Sequence, residues 1–329
     1  MTTLAFFNGI AGVGRTTLVY HLAHMLADQG VSVLMLDLDP QSNLSAMCLD
    51  EDQLERLWPD DAEHVGTAFG CIRPVLHGLG DIAEPNVEVL RDGLGLVPGD
   101  VGLSTFEDEL SGAWTSALAG KEAAYRTLSA FHQMGQRAAR AQGARLTLID
   151  VGPNLGAINR AVLLAADDVV IPLAPDPFSV QGLRNLGPIL SRWREHWKGC
   201  LERRPDTKLE LPPGSMDPLG YIVMQASMRL SRPVKAYHKW ISRLPREYHH
   251  SLLLDDVEPG DTESDPHCMG VMHHYLSLVS LALDARKPMF HLKPADGANG
   301  AYMPAVERCR TDFEHLARVL LERLDAPRS

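Results

Sequence analysis

Gly9, Gly14, Arg15 and Thr16 are spaced as a phosphate-binding turn requires. They lie in the run Phe6-Phe7-Asn8-Gly9-Ile10-Ala11-Gly12-Val13-Gly14-Arg15-Thr16-Thr17-Leu18. The run fits G-x-x-x-x-G-K-[ST] at every fixed position except the lysine, which is Arg15. Glycines let backbone N–H groups turn inward around an anion with no Cβ in the way. The following helix points the positive end of its dipole at the same anion. Ala11, Gly12, Val13, Gly14, Arg15, Thr16 and Thr17 are therefore the expected phosphate contacts of a nucleotide such as ATP. The Thr16 hydroxyl is placed to ligate Mg²⁺. Arg15 keeps the positive charge but presents a planar fork instead of a slim ammonium. A glycine-rich turn without a ligand is the plainer alternative, and the strand–loop–helix context argues against it.

Two further segments end in carboxylates. One is Asp37-Leu38-Asp39-Pro40-Gln41 and the other is Asp150, followed by Gly152-Pro153. Each follows an apolar run, which puts its acid at a strand's C-terminal end, where open α/β sheets bind ligands. Asp150 suits an outer-shell Mg²⁺ contact. Asp39 suits the metal's surroundings and the orientation of an attacking water. Taken alone, each Asp reads equally well as a helix or turn cap. With the loop they converge on one site, where Asp39 and Arg15 are the expected catalytic residues.

The elements that must position these groups are legible as alternating patterns. Leu4 to Asn8, Val31 to Leu38, Leu146 to Ile149 and Leu219 to Gln225 read as buried strands. A helix is expected over about Thr16 to Gln29, and another over Lys121 to Gln142, although Gly135 lies inside it. The alternation argues for an α/β fold with a mostly parallel sheet and crossover helices. The expected organisation is one domain over residues 1–329. It carries an elaboration at about 50–118, which includes a short strand at Leu94 to Val97, and a C-terminal helical part at about 268–329. The stretches Cys200 to Pro218 and Asp255 to Pro266 read as surface loops.

Composition narrows the function classes. The chain has 329 residues, 45% hydrophobic and 22% charged, as in ordinary globular proteins. Nothing near Met1 resembles a signal peptide, and no apolar run reaches transmembrane length, so a cytoplasmic protein is expected. The five cysteines are scattered and form no C-x-x-C, which indicates neither a disulfide framework nor a zinc ribbon. The net charge of −11 argues against an obvious nucleic-acid binder. Yet Ser191 to His250 carry 12 Lys/Arg against 6 Asp/Glu, so positive charge is concentrated there.

The segments FFNGIAGVGRTTL, VLMLDLDPQSNL, LTLIDVGPNLGAINRAVLLAADDVVIPLAPDPFSVQGL and KPMFHL resemble the ParA/MinD family of deviant Walker ATPases. Among these the chain is most similar to ParA-type partition ATPases. The resemblance implies a doubly wound, mostly parallel P-loop NTPase sheet with helices on both faces. It implies ATP and Mg²⁺ binding and a homodimer in the ATP-bound state. It also implies nonspecific DNA binding, with nucleoid association, and stimulation by a ParB-like partner. The family loop reads K-G-G-x-G-K-[ST]. Its first lysine, which reaches across the dimer, falls on Ile10; its next glycine falls on Ala11 and its second lysine on Arg15. Ile10 cannot donate to a phosphate oxygen. Loss of one charge-stabilising donor costs on the order of 10²–10³ in rate, so slow or partner-dependent hydrolysis is expected.

Within this resemblance, Gln225 stands where a polar side chain reads the adenine edge; a residue that only satisfies strand-end backbone is the alternative. Arg229, Arg232, Lys235, Lys239, Arg243 and Arg246 form a stretch without acids. Pro233 starts a helix that sets Lys235, Lys239 and Arg243 at four-residue spacing opposite Tyr237, Trp240, Ile241 and Leu244. Such a stripe tracks DNA phosphates without reading sequence, and a solvated helix face is its alternative. The histidines near Asp265-Pro266-His267-Cys268 and His273-His274 lack metal-site spacing. The last helix, about Pro304 to Leu324, mixes acids with bases on its polar face, which favours docking on the core over a membrane. The leading reading is an ATP-dependent switch acting in plasmid or chromosome partition or positioning. Its rival is a degenerate pseudo-ATPase scaffold, and a metabolic ATP-using enzyme is a third.

Overall fold

The structure, a computed structural model, describes residues 1–60, 63–206, 208–224, 239–256 and 259–326. Eight strands form one sheet: β1 (Thr2–Phe6), β2 (Val33–Asp37), β3 (Glu88–Arg91), β4 (Leu94–Val97), β5 (Leu146–Asp150), β6 (Asp168–Leu173), β7 (Asp217–Met224) and β8 (Cys268–Met272). Their order is β3-β4-β2-β5-β1-β6-β7-β8. Every pairing is parallel except the edge hairpin β3–β4. The order reverses direction around β1, so the crevice above β1, β2 and β5 is a topological switch point.

Helices cover both faces because both faces of the strands are apolar. Leu4 and Phe6 of β1 pack in one layer, with Leu18 and Leu22 of α1 (Arg15–Asp28). That layer also takes α2 (Asn43–Cys48), α3 (Glu51–Leu57), the helix Leu276–Ala285 and the final helix Tyr302–Asp325. Ala5 and Phe7 pack into the other layer. It is built from α4 (Ala68–Leu76), α5 (Phe106–Leu118), α6 (Glu122–Leu128), α7 (Ala130–Gln142), α8 (Ala157–Ala165) and α9 (Pro177–Glu202). The alternation continues in β2, where Val33 and Met35 join the first layer and Leu34 and Leu36 the second.

The expected strands appear within a residue or two of their sequence limits, and Leu94–Val97 forms β4. β3 and β4, within the 50–118 segment, extend the main sheet beyond β2. Three expectations are corrected. The part from about 268 to 329 is not all helical, because it opens with β8, which pairs parallel with β7 and closes that side of the sheet. The single helix over Lys121 to Gln142 is two helices, broken at Ser129. The fully buried Ser129 hydroxyl donates to Arg126 O and accepts from Gln133 Nε2 at 2.7 Å. A serine that bonds local backbone competes with helix continuation. The acidic stretch after Asp255 is also not wholly exposed: Thr262 and Asp265 are buried. Asp265 accepts from Tyr221 Oη at 2.7 Å, His249 Nε2 at 3.1 Å and His267 N at 2.9 Å, which makes its burial tolerable.

Candidate nucleotide-binding site

The loop between β1 and α1 is held from beneath. Asn8 is buried, and its Nδ2 donates to Pro172 O of β6 at 2.6 Å. Gly12 and Gly14 have φ of +81° and +83°, a region L side chains rarely adopt. Gly14 is the N-cap of α1 and makes no side-chain cap, so the first N–H groups of the helix stay available to an anion. Gly9, Ala11 and Gly12 are exposed, Val13 is buried, and Thr16 and Thr17 are partly exposed.

Arg15 does not point into the loop's mouth. Its side chain is buried, with Nη1 donating to Asn8 O at 2.9 Å and Nε 3.6 Å from Asp150 Oδ1. Burial lowers its pKa, against the attraction of Asp150 and Asp39. The sequence expectation of a guanidinium directly on phosphate is thus met by a different geometry, a cation set under the loop against the β5 carboxylate. A lysine carries all its donors on one nitrogen, whereas Arg15 reaches Asn8 O through Nη1 and Asp150 through Nε.

Parallel pairing of β1, β2 and β5 brings the acids to one edge, with Asp37 opposite Asp150 in register. Asp39 is buried and its Oδ1 accepts from Gln41 N at 3.0 Å, which turns the chain after β2. A Cβ on Gly152 would lie 3.5 Å from Asp39 Oδ1, so the β2 and β5 exits are adjacent. Asn159 Nδ2 holds the second exit by donating to Gly152 O at 2.8 Å and Asn154 O at 2.7 Å.

Asp37, given no role from sequence, is fully buried. Its Oδ2 accepts from Ser45 N at 2.8 Å and Ser45 Oγ at 2.7 Å. Ser45 Oγ in turn accepts from Gly99 N at 2.8 Å, after β4. A Cβ on Gly99 would stand 2.7 Å from Asp37 Cγ, so only glycine fits there. Burial and then the Asp150 charge push Asp37 up to about 8. Burial likewise pushes Asp150 up to about 6, with Thr16 and Arg15 partly offsetting it. Both Asp150 oxygens and Asp37 Oδ1 lack a hydrogen bond of good geometry among the described residues.

This is an environment short of positive charge, and it fits a small divalent cation. Among the described residues no group of three or more His, Cys, Asp or Glu is arranged to hold a metal ion. Mg²⁺ seldom uses such a cage; it takes one or two carboxylates, waters and substrate phosphates. Thr16, Asp39 and Asp150 fit that donor set.

On the β7–β8 side of the loop lies a cavity of about 270 Å³, lined by Gly12, Thr17, Met224, Met272 and Tyr275 among others. Its apolar walls beside a phosphate-type loop suit a flat nucleoside base. Gln225, the sequence candidate for the base, lies outside the described residues, as do Arg229, Arg232 and Lys235. Its neighbour Met224 does line the cavity. The segment Met272 to Tyr275 also lines the cavity and was not singled out from sequence, because only the tertiary fold brings it to the loop. Lys239 and Arg243 are exposed, and both flank Trp240, at 5.3 Å and 5.0 Å from its ring centre. Trp240 and Ile241 are half-buried and Leu244 is buried, but the helical turn holding Lys239 ends at Ile241 and Arg243 stands in the turn that caps the next helix, so the expected single helix with Lys239 and Arg243 on one face is interrupted there.

Sheet order, switch-point crevice and loop together define a P-loop protein of the doubly wound α/β class. Residues 1–202 match the AAA_31 family, described as an AAA domain, and the chain belongs to that family. It is of the ParA type. The chromosome partitioning protein ParA of Caulobacter vibrioides is 30% identical over 203 residues, covering 59% of this chain and 64% of the relative. The chromosome-partitioning ATPase Soj of Thermus thermophilus is 31% identical over 184 residues, covering 56% and 59%. The chain thus spans less than two-thirds of these relatives. Among solved structures, protein DIP2308 of Corynebacterium diphtheriae superposes with a TM-score of 0.73 at 24% identity, covering 99% of both chains. A pNOB8 ParA bound to nonspecific DNA superposes at 0.59 and 18% identity, covering 98% of both, which shows a shared fold. Among the described residues no helix is long and apolar enough to cross a membrane.

Proposed function

We propose that this protein is a ParA-like nucleotide-dependent switch. In this reading it binds ATP with Mg²⁺, dimerises in that state and holds DNA without sequence preference. Its work is plasmid or chromosome partition or positioning, in the cytoplasm and on the nucleoid, with a ParB-like partner stimulating it. The observation that carries the reading is the meeting of the Gly12–Thr17 turn with Asp39 and Asp150 at one edge of the sheet. Relatives named as partition proteins support the biological role.

Each residue has a task that its position allows. Backbone N–H groups from Ala11 to Thr17 receive the phosphates. Arg15 supplies positive charge from beneath the loop and balances Asp150. Thr16, Asp39 and Asp150 hold Mg²⁺ directly or through water, and the ion when bound neutralises phosphate charge. Asp39, whose Oδ1 accepts from Gln41 N, accepts a hydrogen bond from the attacking water. Ile10 contributes no charge, so hydrolysis is slow. Lys239 and Arg243, both exposed beside Trp240, contact phosphates of DNA.

Calorimetric titration of the purified protein with ATP and Mg²⁺, with Thr16→Ala alongside, tests the nucleotide site. Binding that weakens in the variant supports it. No heat at millimolar ATP would favour the second reading, a nucleotide-free interaction scaffold. The observation behind that second reading is the pair of Ile10 at the loop's surface and Arg15 tucked inward.

A further inference from the structure

Two consecutive residues of the final helix reach the base-side cavity by different routes. Phe313 lines it directly, and its ring stacks on His21 of α1 at 5.3 Å and 27°. Asp312 reaches it through the chain that leaves β8. A single oxygen, Asp312 Oδ2, accepts from His273 N at 3.2 Å, from His273 Nδ1 at 2.7 Å and from Tyr275 Oη. His273 and Tyr275 both line the cavity opposite Gly12–Thr17. The Asp312 side chain is mostly buried, so these bonds are sheltered from water.

The segment that Asp312 grips is also held at its far end, where the buried Tyr275 accepts from Leu278 N at 2.8 Å and Val279 N at 3.2 Å through its carbonyl. It lies between the end of β8 and the helix Leu276–Ala285, and His273 is largely exposed. Without the carboxylate, one backbone N–H, one imidazole and one phenol would each need a new partner, and the wall would sample other positions. A preformed wall avoids an ordering cost on binding.

We propose that Asp312 is a positioning residue for the nucleoside base. From the final helix it holds the His273–Tyr275 wall at the distance from the P-loop at which a base fits between them. This rests on the nucleotide reading above and adds a determinant of base affinity, remote in sequence from every phosphate and metal contact. It predicts a division of labour. The loop and its carboxylates set affinity for phosphate, while the final helix, acting through Asp312, sets how much the base adds.

The experiment compares Mg²⁺-ATP with Mg²⁺-tripolyphosphate, which has the phosphates and no base, on the full chain. Asp312→Ala should weaken ATP roughly tenfold or more and leave tripolyphosphate within about twofold. Asp312→Asn keeps an acceptor oxygen in the same place and should restore most of the loss. Tyr275→Phe, which removes one of the three donors, should fall between. Equal loss of both ligands in Asp312→Ala would show a general structural role and overturn the proposal. Unchanged ATP affinity would also overturn it. Wild-type protein that binds tripolyphosphate as tightly as ATP would refute the base wall while sparing the phosphate site. Binding of neither ligand would remove the nucleotide reading and this proposal together.

Discussion

Arg15 Nε lies 3.6 Å from Asp150 Oδ1, and both side chains are buried. The family lysine position and the β5 carboxylate are therefore neighbours beneath the loop. This pairing gives the ligand-free site its own counter-charge. Removing one member of a buried pair leaves the other uncompensated.

Arg15→Ala should therefore destabilise the protein in a pH-dependent way. Asp150 already stands at about 6, raised by burial. Without Arg15 its folded pKa rises further. A raised folded pKa means stability that is fully present below the unfolded value and lost as pH rises through the folded one. The variant's deficit against wild type should be larger at pH 8 than at pH 5.5, approaching ~1.4 kcal/mol for each unit of additional shift. Urea denaturation at the two pH values measures it. An equal deficit at both would mean that packing dominates.

Asp37 should limit stability at mildly alkaline pH. Its pKa is pushed up to about 8, so its contribution is lost as pH rises toward that value. Asp37→Asn keeps an acceptor for Ser45 and removes the titration. Wild type should lose up to about 2 kcal/mol between pH 6.5 and 8, and the variant should show a flatter curve.

His21 should make the protein acid-sensitive. Its Nδ1 donates to Thr17 O at 2.7 Å and its Nε2 accepts from Met289 N at 3.0 Å, which fixes a neutral tautomer. Burial holds it down at about 4. Its contribution is complete above the unfolded value near 6.5 and is lost as pH falls toward 4. His21→Leu should cost about 1–3 kcal/mol at pH 7 by orphaning Met289 N, and should show less acid sensitivity than wild type. Thermal melts at pH 5 and pH 7 provide the comparison.

Asp39→Ala should separate hydrolysis from binding. Among the described residues its side chain accepts one turn hydrogen bond, from Gln41 N, worth about 1 kcal/mol. Phosphate release should fall on the order of 10²–10⁴-fold from whatever the wild type shows. ATP-dependent dimerisation, followed by light scattering, should persist. A variant that no longer dimerises would assign Asp39 to binding instead.

Lys239→Glu with Arg243→Glu should weaken DNA binding by similar factors on unrelated sequences. Each lost phosphate contact should reduce the slope of log affinity against log salt by about 0.9. A salt titration by fluorescence anisotropy reads this directly. Affinity and slope equal to wild type would leave the basic stripe as a solvated face.

The strand–loop–helix spacing around Gly9 to Thr16, the carboxylates closing β2 and β5, and the alternating apolar runs were all legible in the sequence. They are local: periodicity and backbone stereochemistry act over a few residues. The break at Ser129 was not legible, because a buried hydroxyl outbids the helix only once packing removes its water. Nor was the direction of Arg15. A guanidinium at that position serves phosphate or Asp150 depending on what β5 and Asn8 present to it. Asp37 owes its raised pKa to burial under a glycine 62 residues away along the chain, at Gly99. The cavity beside the loop joins residues 12–14, 17–18, 224, 272–275, 279, 289 and 313, which no spacing links. Sequence determined the phosphate-binding turn and the sheet that carries it. Tertiary structure decided which charges are paired beneath that turn and which side chains line the cavity beside it, because desolvation and long-range contacts exist only after the layers close.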